Sequence, residues 1–288
     1  MASQPEMDEV SGVETVGHEW DGIKELNNPL PSWWLWVWIA TIVWAIGYWI
    51  AMPAWPLVSD YTRGVLGHSQ RAQLSGEIAA VKAGQADLTA RTAKASLAEI
   101  KADAELLEFA LAGGRSAYAV NCSQCHGSGA AGSDGYPNLN DDDWIWGGTV
   151  EQIHATIQYG IRADHDDTRD NEMPAFGRDE MLDPQQVDAV SDYVMALSRD
   201  DGVADTLPGK ALYTEHCVDC HGPGGAGNME LGAPKLRDGI WLYQGDKAMV
   251  VDMITNSRAG MMPAWVDRLD KVTLKQLAVY IHSLGGGA

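Results

Sequence analysis

The sequence predicts a mainly α protein: one N-terminal transmembrane helix, a helical linker and two small tandem helical domains. Three observations carry that expectation. An uncharged run of 21 residues begins at Ser32, helical periodicity dominates the residues after it, and residues 113–288 contain an internal duplication. The length of 288 residues suffices for about two ordinary domains. Forty acids against 20 Lys plus Arg argue against nucleic acid as a partner, because phosphate neutralisation needs clustered cations. Four Cys are too sparse for a disulfide scaffold. A count of 31 Gly points to loop-rich domains.

Residues 1–31 form a polar tail with one Lys and seven acids. The run SWWLWVWIATIVWAIGYWIAM, residues 32–52, spans about 30 Å as a helix, the thickness of the bilayer hydrocarbon. Trp33 and Trp34 at one end, with Tyr48, Trp49 and Trp55 at the other, fit the two interfacial belts. Pro31 and Pro53 bracket it. The run is longer than a signal-peptide apolar core and follows a polar tail, so an uncleaved anchor is expected. Arg63, Arg71 and Lys82 after the span lean weakly toward an external tail by the positive-inside rule.

The linker, residues 53–112, carries six bases and seven acids. Leu74, Ile78 and Val81, then Leu97, Ile100, Ala104 and Leu107, recur at helical spacing, while Gly76 and Gly84 count against one unbroken helix. A spacer resting on partner subunits and a solvated stalk both fit.

Two units come next, residues 113–201 and 202–288, joined at Asp200-Asp201-Gly202. Gly114, Tyr118, Cys122, Cys125 and His126 match Gly209, Tyr213, Cys217, Cys220 and His221 at identical spacing. Pro137 and Leu139 answer to Pro234 and Leu236, Trp144 to Trp241, and Met173-Pro174-Ala175-Phe176 to Met262-Pro263-Ala264-Trp265. Each unit closes with an amphipathic helix, lined by Val187, Val190, Val194 and Leu197 or by Leu277, Tyr280, Ile281 and Leu284. Units of this size are small for a self-sufficient core, so something else must fill the middle.

Cys122-Ser-Gln-Cys125-His126 and Cys217-Val-Asp-Cys220-His221 are both C-x-x-C-H, the attachment pattern of c-type haem. Cysteines three positions apart lie one helical turn apart and reach the two vinyl groups of one porphyrin. The adjacent His lies under the ring to ligate iron. Two tandem cytochrome c domains with two covalently bound haems are therefore expected, the haems supplying the missing cores. A four-thiolate zinc site would have to join pairs 95 residues apart. A thioredoxin-like pair would need a βαβ context that the sequence lacks.

A low-spin carrier needs a sixth ligand. Met173 follows His126 by 47 residues and Met262 follows His221 by 41, each before a Pro that favours extended backbone. Met261 is the nearest rival for the second haem. Pro137 and Pro234 offer carbonyls to the proximal imidazoles. Trp144, Trp241, Arg162 and Arg258 are candidates for propionate contacts. His154, His165, His216 and His282 read as ordinary surface or helix residues. The runs 141–143 and 164–172 read as solvated acidic loops. Because haem c is attached outside the bacterial cytoplasm, the units after the span are expected in the periplasm and the tail in the cytoplasm, overruling the charge bias.

The stretch from His18 to Pro31 (HEWDGIKELNNPLP), the Trp-rich span ending Gly47-Tyr48-Trp49, and Pro53-Ala54-Trp55-Pro56 resemble the dihaem subunit (subunit III, CcoP or FixP) of cbb3-type cytochrome c oxidases. The resemblance extends through both haem units; the stretch Ala163 to Glu172 looks like an insertion before the first Met. It implies an inner-membrane electron-transfer subunit of a proton-pumping oxidase, with no oxygen-reducing site and no catalytic residue on this chain. It further implies an electron donor of cytochrome c type, a monohaem cytochrome c subunit and a catalytic haem–copper subunit as partners, membrane lipid around the span, and Met axial ligands mapping onto Met173 and Met262. The alternatives are a free-standing anchored dihaem carrier, a dihaem peroxidase and an assembly scaffold.

Overall fold

The computed structural model describes residues 5–199 and 202–285. Asp200 and Asp201 of the expected joint lie outside the described residues. The chain divides into two compact units, residues 1–83 and 84–288.

In the first unit the polar tail contains an antiparallel hairpin of β1 (Thr15–Trp20) and β2 (Ile23–Leu26), with Trp20 opposite Ile23. Asp21 and Gly22 both take positive φ, 51° and 84°, the geometry of the tight hairpin turn that Asp-Gly favours. That dipeptide is the signal a reading of the tail as merely polar passes over. Helix α1 (Ser32–Ala51) follows Pro31 and buries none of its side chains against the protein. Its length and mean hydropathy of 1.6 are those of a membrane span. The chain then turns back at Gly64, and Val65 N–H and Leu66 N–H donate to the last carbonyls of the helix, Ile50 (2.9 Å) and Ala51 (3.1 Å). A Cβ on Gly64 would strike the Ala51 carbonyl. Helix α2 (Gln70–Gly84) is exposed throughout.

The second unit begins with α3 (Ala86–Lys94), α4 (Leu97–Ala102) and α5 (Ala104–Asn121). Ser96 and Glu99 form a reciprocal capping box on α4, and the Asp103 carboxylate accepts from the Glu105 and Leu106 N–H groups to start α5. The remaining helices are α6 (Ser123–His126), α7 (Val150–Tyr159), α8 (Pro184–Arg199), α9 (Gly209–His216), α10 (Val218–His221), α11 (Lys247–Asn256) and α12 (Lys271–Gly285).

Two apolar cores form, and they do not follow the two sequence halves. The first joins Leu106, Ala110 and Tyr118 of α5 and Ile153 and Ile157 of α7 to Leu274, Leu277 and Ile281 of α12. The second joins Tyr213 of α9 and Val250 and Ile254 of α11 to Val187, Val190 and Val194 of α8. The closing amphipathic helices are thus exchanged: each packs on the other repeat. The crossing points explain the repeated Gly…Tyr pair. A Cβ on Gly114 would meet the backbone of Gln276 in α12, and one on Gly209 would meet that of Ala189 in α8. One turn on, Tyr118 packs on Tyr280 (ring centroids 5.7 Å apart) and Tyr213 on Tyr193 (5.1 Å). The exchanged helices bury the same contact twice.

The later part of the stretch expected as linker joins the first core. Leu97 and Ile100 are buried in it. Lys275 Nζ on α12 donates to the carbonyls of Thr92 (3.2 Å), Ala93 (2.9 Å) and Ala95 (2.6 Å), closing the end of α3 with a cation where the helix dipole is negative.

Candidate haem sites

Helix α5 ends where Cys122 takes φ −113°, and one further turn, α6, carries Cys125 and His126. The second motif repeats this: Cys217 has φ −117° after α9, and α10 carries Cys220 and His221. In each turn the His N–H returns to the carbonyl of the first Cys, at 3.0 Å for His126 and 2.9 Å for His221. Gly127 (φ 80°) and Gly222 (φ 72°) then break the helix. Their carbonyls accept from Tyr118 Oη and Tyr213 Oη, both at 2.7 Å.

His126 Nδ1 lies 3.1 Å from the Pro137 carbonyl, and His221 Nδ1 lies 3.0 Å from that of Pro234. A carbonyl can only accept, so Nδ1 carries the proton and Nε2 keeps a free lone pair. Burial lowers both imidazole pKa values, against a weaker opposing effect of the proline carbonyl, so the rings stay neutral as iron ligation requires. Burial, with the neighbouring Cys adding to it, pushes the Cys122 and Cys217 thiols up to about 11. A thioredoxin-like redox pair needs the opposite shift. Among the described residues no three His, Cys, Asp or Glu side chains converge as a metal site.

Both motifs open on one cavity of about 630 Å³, walled mainly by apolar side chains. Met173 and Met262 both line it, but not beside the motifs that sequence order suggests. Met262 packs on the first core, with α5 and α7; Met173 packs on the second, with α9 and α11. The exchange of the closing helices carries the Met-Pro-Ala-aromatic loops with it. Gly160, at φ 72°, shows how tight the approach is: a Cβ there would strike the Met262 carbonyl. Ile161 and Met262 exchange N–H···O bonds of 2.9 and 3.0 Å, and Trp265 N–H donates to the Ile157 carbonyl at 3.2 Å. In the other half Phe176 is buried in the second core, and Arg178 N–H donates to the Thr255 carbonyl at 2.8 Å. Met261 is 67% exposed.

Trp144 packs on the first core and Trp241 on the second, and both line the cavity. So do Arg162 and Arg258; Arg162 donates to the Gly260 (2.7 Å) and Asn171 (2.8 Å) carbonyls, and Arg258 pairs with Asp252 (2.6 Å). His154, His165 and His282 do not line it; His216 does, edge-on to Phe176 at 6.1 Å. In the acidic runs, Asp143 pairs with Lys235 of the other half at 3.1 Å, and Arg169 turns inward. A count of charges has no way to mark Arg169 as different from its acidic neighbours.

Fold and motifs together define a c-type cytochrome built as a duplicated haem unit behind an apolar N-terminal helix. The chain matches the family described as N-terminal domain of cytochrome oxidase-cbb3, FixP, over residues 12–59. It matches cytochrome c oxidase, cbb3-type, subunit III, over residues 109–194 and again over 204–281. It is 51% identical to the cbb3-type cytochrome c oxidase subunit FixP of Bradyrhizobium sp. (strain ORS 278), with 100% of each chain covered. It is also 51% identical to the subunit CcoP of Azospirillum sp. (strain B510), over 97% of this chain and 98% of that one. FixP of Rhizobium meliloti (strain 1021) shares 51% over 98% and 97%. The chain belongs to the FixP/CcoP family, subunit III of cbb3-type cytochrome c oxidases, and is an electron-transport subunit of that oxidoreductase complex.

Proposed function

We propose that the chain carries two covalently attached haems, one on Cys122 and Cys125 and one on Cys217 and Cys220, with ligation crossed between the repeats. His126 and Met262 hold the first iron; His221 and Met173 hold the second. When bound, each haem supplies an Fe(III)/Fe(II) couple, raised in potential by the thioether. The residues of the chain orient it: the proline carbonyls set the imidazole planes, the apolar wall excludes water, and the Met-Pro loops present sulfur. The observation that carries this reading is that each Met packs against the same core as the first Cys of the opposite repeat's motif, Met262 with Cys122 and Met173 with Cys217.

In the same proposal the haem units lie in the periplasm and the tail in the cytoplasm. Electrons enter from a cytochrome c donor and pass to the monohaem subunit, then to the haem–copper subunit where oxygen is reduced and protons are pumped. No bond-making step falls on this chain. Pyridine haemochrome analysis of this subunit, separated from the rest of the purified oxidase, is expected to give two c-type haems. One haem, or none, overturns the reading.

Residues 113–288 hold 26 acids against 13 bases, before the propionates add more negative charge. A donor docking through basic residues is expected, so its association rate should fall as ionic strength rises. Stopped-flow rates that do not change with salt would exclude this docking mode.

A further inference from the structure

Arg169 lies in the acidic stretch before Met173 and uses its charge unusually. Its guanidinium is half-buried, and no carboxylate pairs with it among the described residues. It donates instead to two main-chain carbonyls, those of Trp146 and Gln152 (3.4 Å), and stacks 5.4 Å from the centre of the Trp146 ring. Burial alone pulls its pKa down. A desolvated cation held only by carbonyls and an aromatic face is a costly arrangement, which makes the groups it holds together informative.

Those groups belong to the first haem site. Trp146 lines the cavity, and its ring lies where a Cβ on Gly232 of the other repeat would fall. Gln152 is on α7, whose Ile153 and Ile157 face the first core. The backbone of Arg169 completes the connection: Arg162 N–H donates to the Arg169 carbonyl at 2.8 Å, and Arg169 N–H to the Gly160 carbonyl at 3.4 Å. Ile161 is thereby held between Arg169 on one side, as a parallel bridge, and Met262 on the other, as an antiparallel bridge. The Met262 backbone, brought from the far end of the chain, is hydrogen-bonded to a strand that Arg169 pins to the cavity wall.

The other site lacks this arrangement. Ser257 stands where Gly160 ends the equivalent helix, and among the described residues no bridge pairs the backbone of Met173. The counterpart by position is Arg258, four residues before Met262 as Arg169 is before Met173, and it pairs with the Asp252 carboxylate at 2.6 Å. Arg178 donates to the Asn256 carbonyl at 3.1 Å but also pairs with Asp179 and is exposed.

We propose that Arg169 is a positioning residue for the first haem alone: by clamping Trp146, α7 and the Ile161 strand, it holds Met262 against that site. This rests on the crossed ligation proposed above. Removing the clamp leaves the Met262 loop hydrogen-bonded to a strand that is itself loose, so the thioether is more easily displaced.

The test uses the full oxidase carrying Arg169→Gln. It follows the far-red charge-transfer band of Met-ligated ferric haem, the midpoints of both haems, and imidazole binding to the oxidised protein. Met262→Ala and Met173→Ala, measured alongside, show which haem each Met serves. The expected result is that Arg169→Gln weakens the band and lowers the midpoint of the haem affected by Met262→Ala. Imidazole affinity at that haem should rise about tenfold, the weight of one charge-assisted hydrogen bond. The haem affected by Met173→Ala should not change.

Wild-type band, midpoints and imidazole affinity in Arg169→Gln, or a change at the Met173 haem, overturns the proposal. If Met262→Ala and Met173→Ala show ligation within each repeat, crossed ligation has failed instead. Should Arg169→Gln not mature with two haems, Arg169→Lys keeps the charge but loses the planar fork that reaches the two carbonyls from separate nitrogens and stacks on the Trp146 ring. The same rise in imidazole affinity then supports the clamp, and wild-type affinity overturns it.

Discussion

Met262→Ala is expected to strip the sixth ligand from the haem on Cys122 and Cys125, although Met262 lies in the second repeat. Losing a thioether that favours ferrous iron should lower that haem's midpoint by on the order of 0.2 V, a fraction of the ~0.8 V that axial ligands command. The haem on Cys217 and Cys220 should keep its potential, and Met173→Ala should give the mirror result. The assignment rests on packing: Met262 and Cys122 both pack against the first core, Met173 and Cys217 against the second. Redox titration with spectral deconvolution reads both midpoints. Low-spin His/Met signatures surviving at the Cys122 haem in Met262→Ala would return ligation to the order of the sequence.

Leu277→Asp should have a similarly displaced effect. Leu277 is 0% exposed, on α12, in the core that contains Leu106, Tyr118 and Ile153 of the first repeat. Losing its burial and introducing an unpaired carboxyl there costs about 3–5 kcal/mol, a large share of a small domain's stability. The damage should fall on the site of Cys122–His126 and spare that of Cys217–His221, which lies much nearer to the substitution in sequence. Thermal melts followed at each haem's own absorption distinguish the two. A lower melting temperature at the second haem alone would contradict the exchanged packing.

Much of the haem chemistry is legible because it is local. C-x-x-C-H is one helical turn, and its repetition at identical spacing leaves little else to read. The proline carbonyls that orient His126 and His221 are legible too, since Pro137 and Pro234 recur at corresponding places. Met262 is separable in sequence from Met261 by its Pro-Ala-aromatic context; both line the cavity, Met261 the more exposed of the two. The Asp21-Gly22 hairpin escapes a reading in which acidity dominates residues 1–31. The later part of the stretch 53–112 cannot be told from a stalk, because an amphipathic helix does not name the surface it packs on.

Sequence by itself determined the uncharged apolar span, the two haem-attachment turns with their histidines, the duplicated Gly…Tyr contact and the pair of Met-Pro loops. Tertiary structure alone decided which methionine shares a core with which motif's first cysteine, which closing helix covers which core, and that Arg169 turns inward. The reason lies in the duplication. Because both repeats present the same small-residue crossing and apolar faces, either closing helix satisfies either partner, and only the path of the folded chain in space distinguishes them.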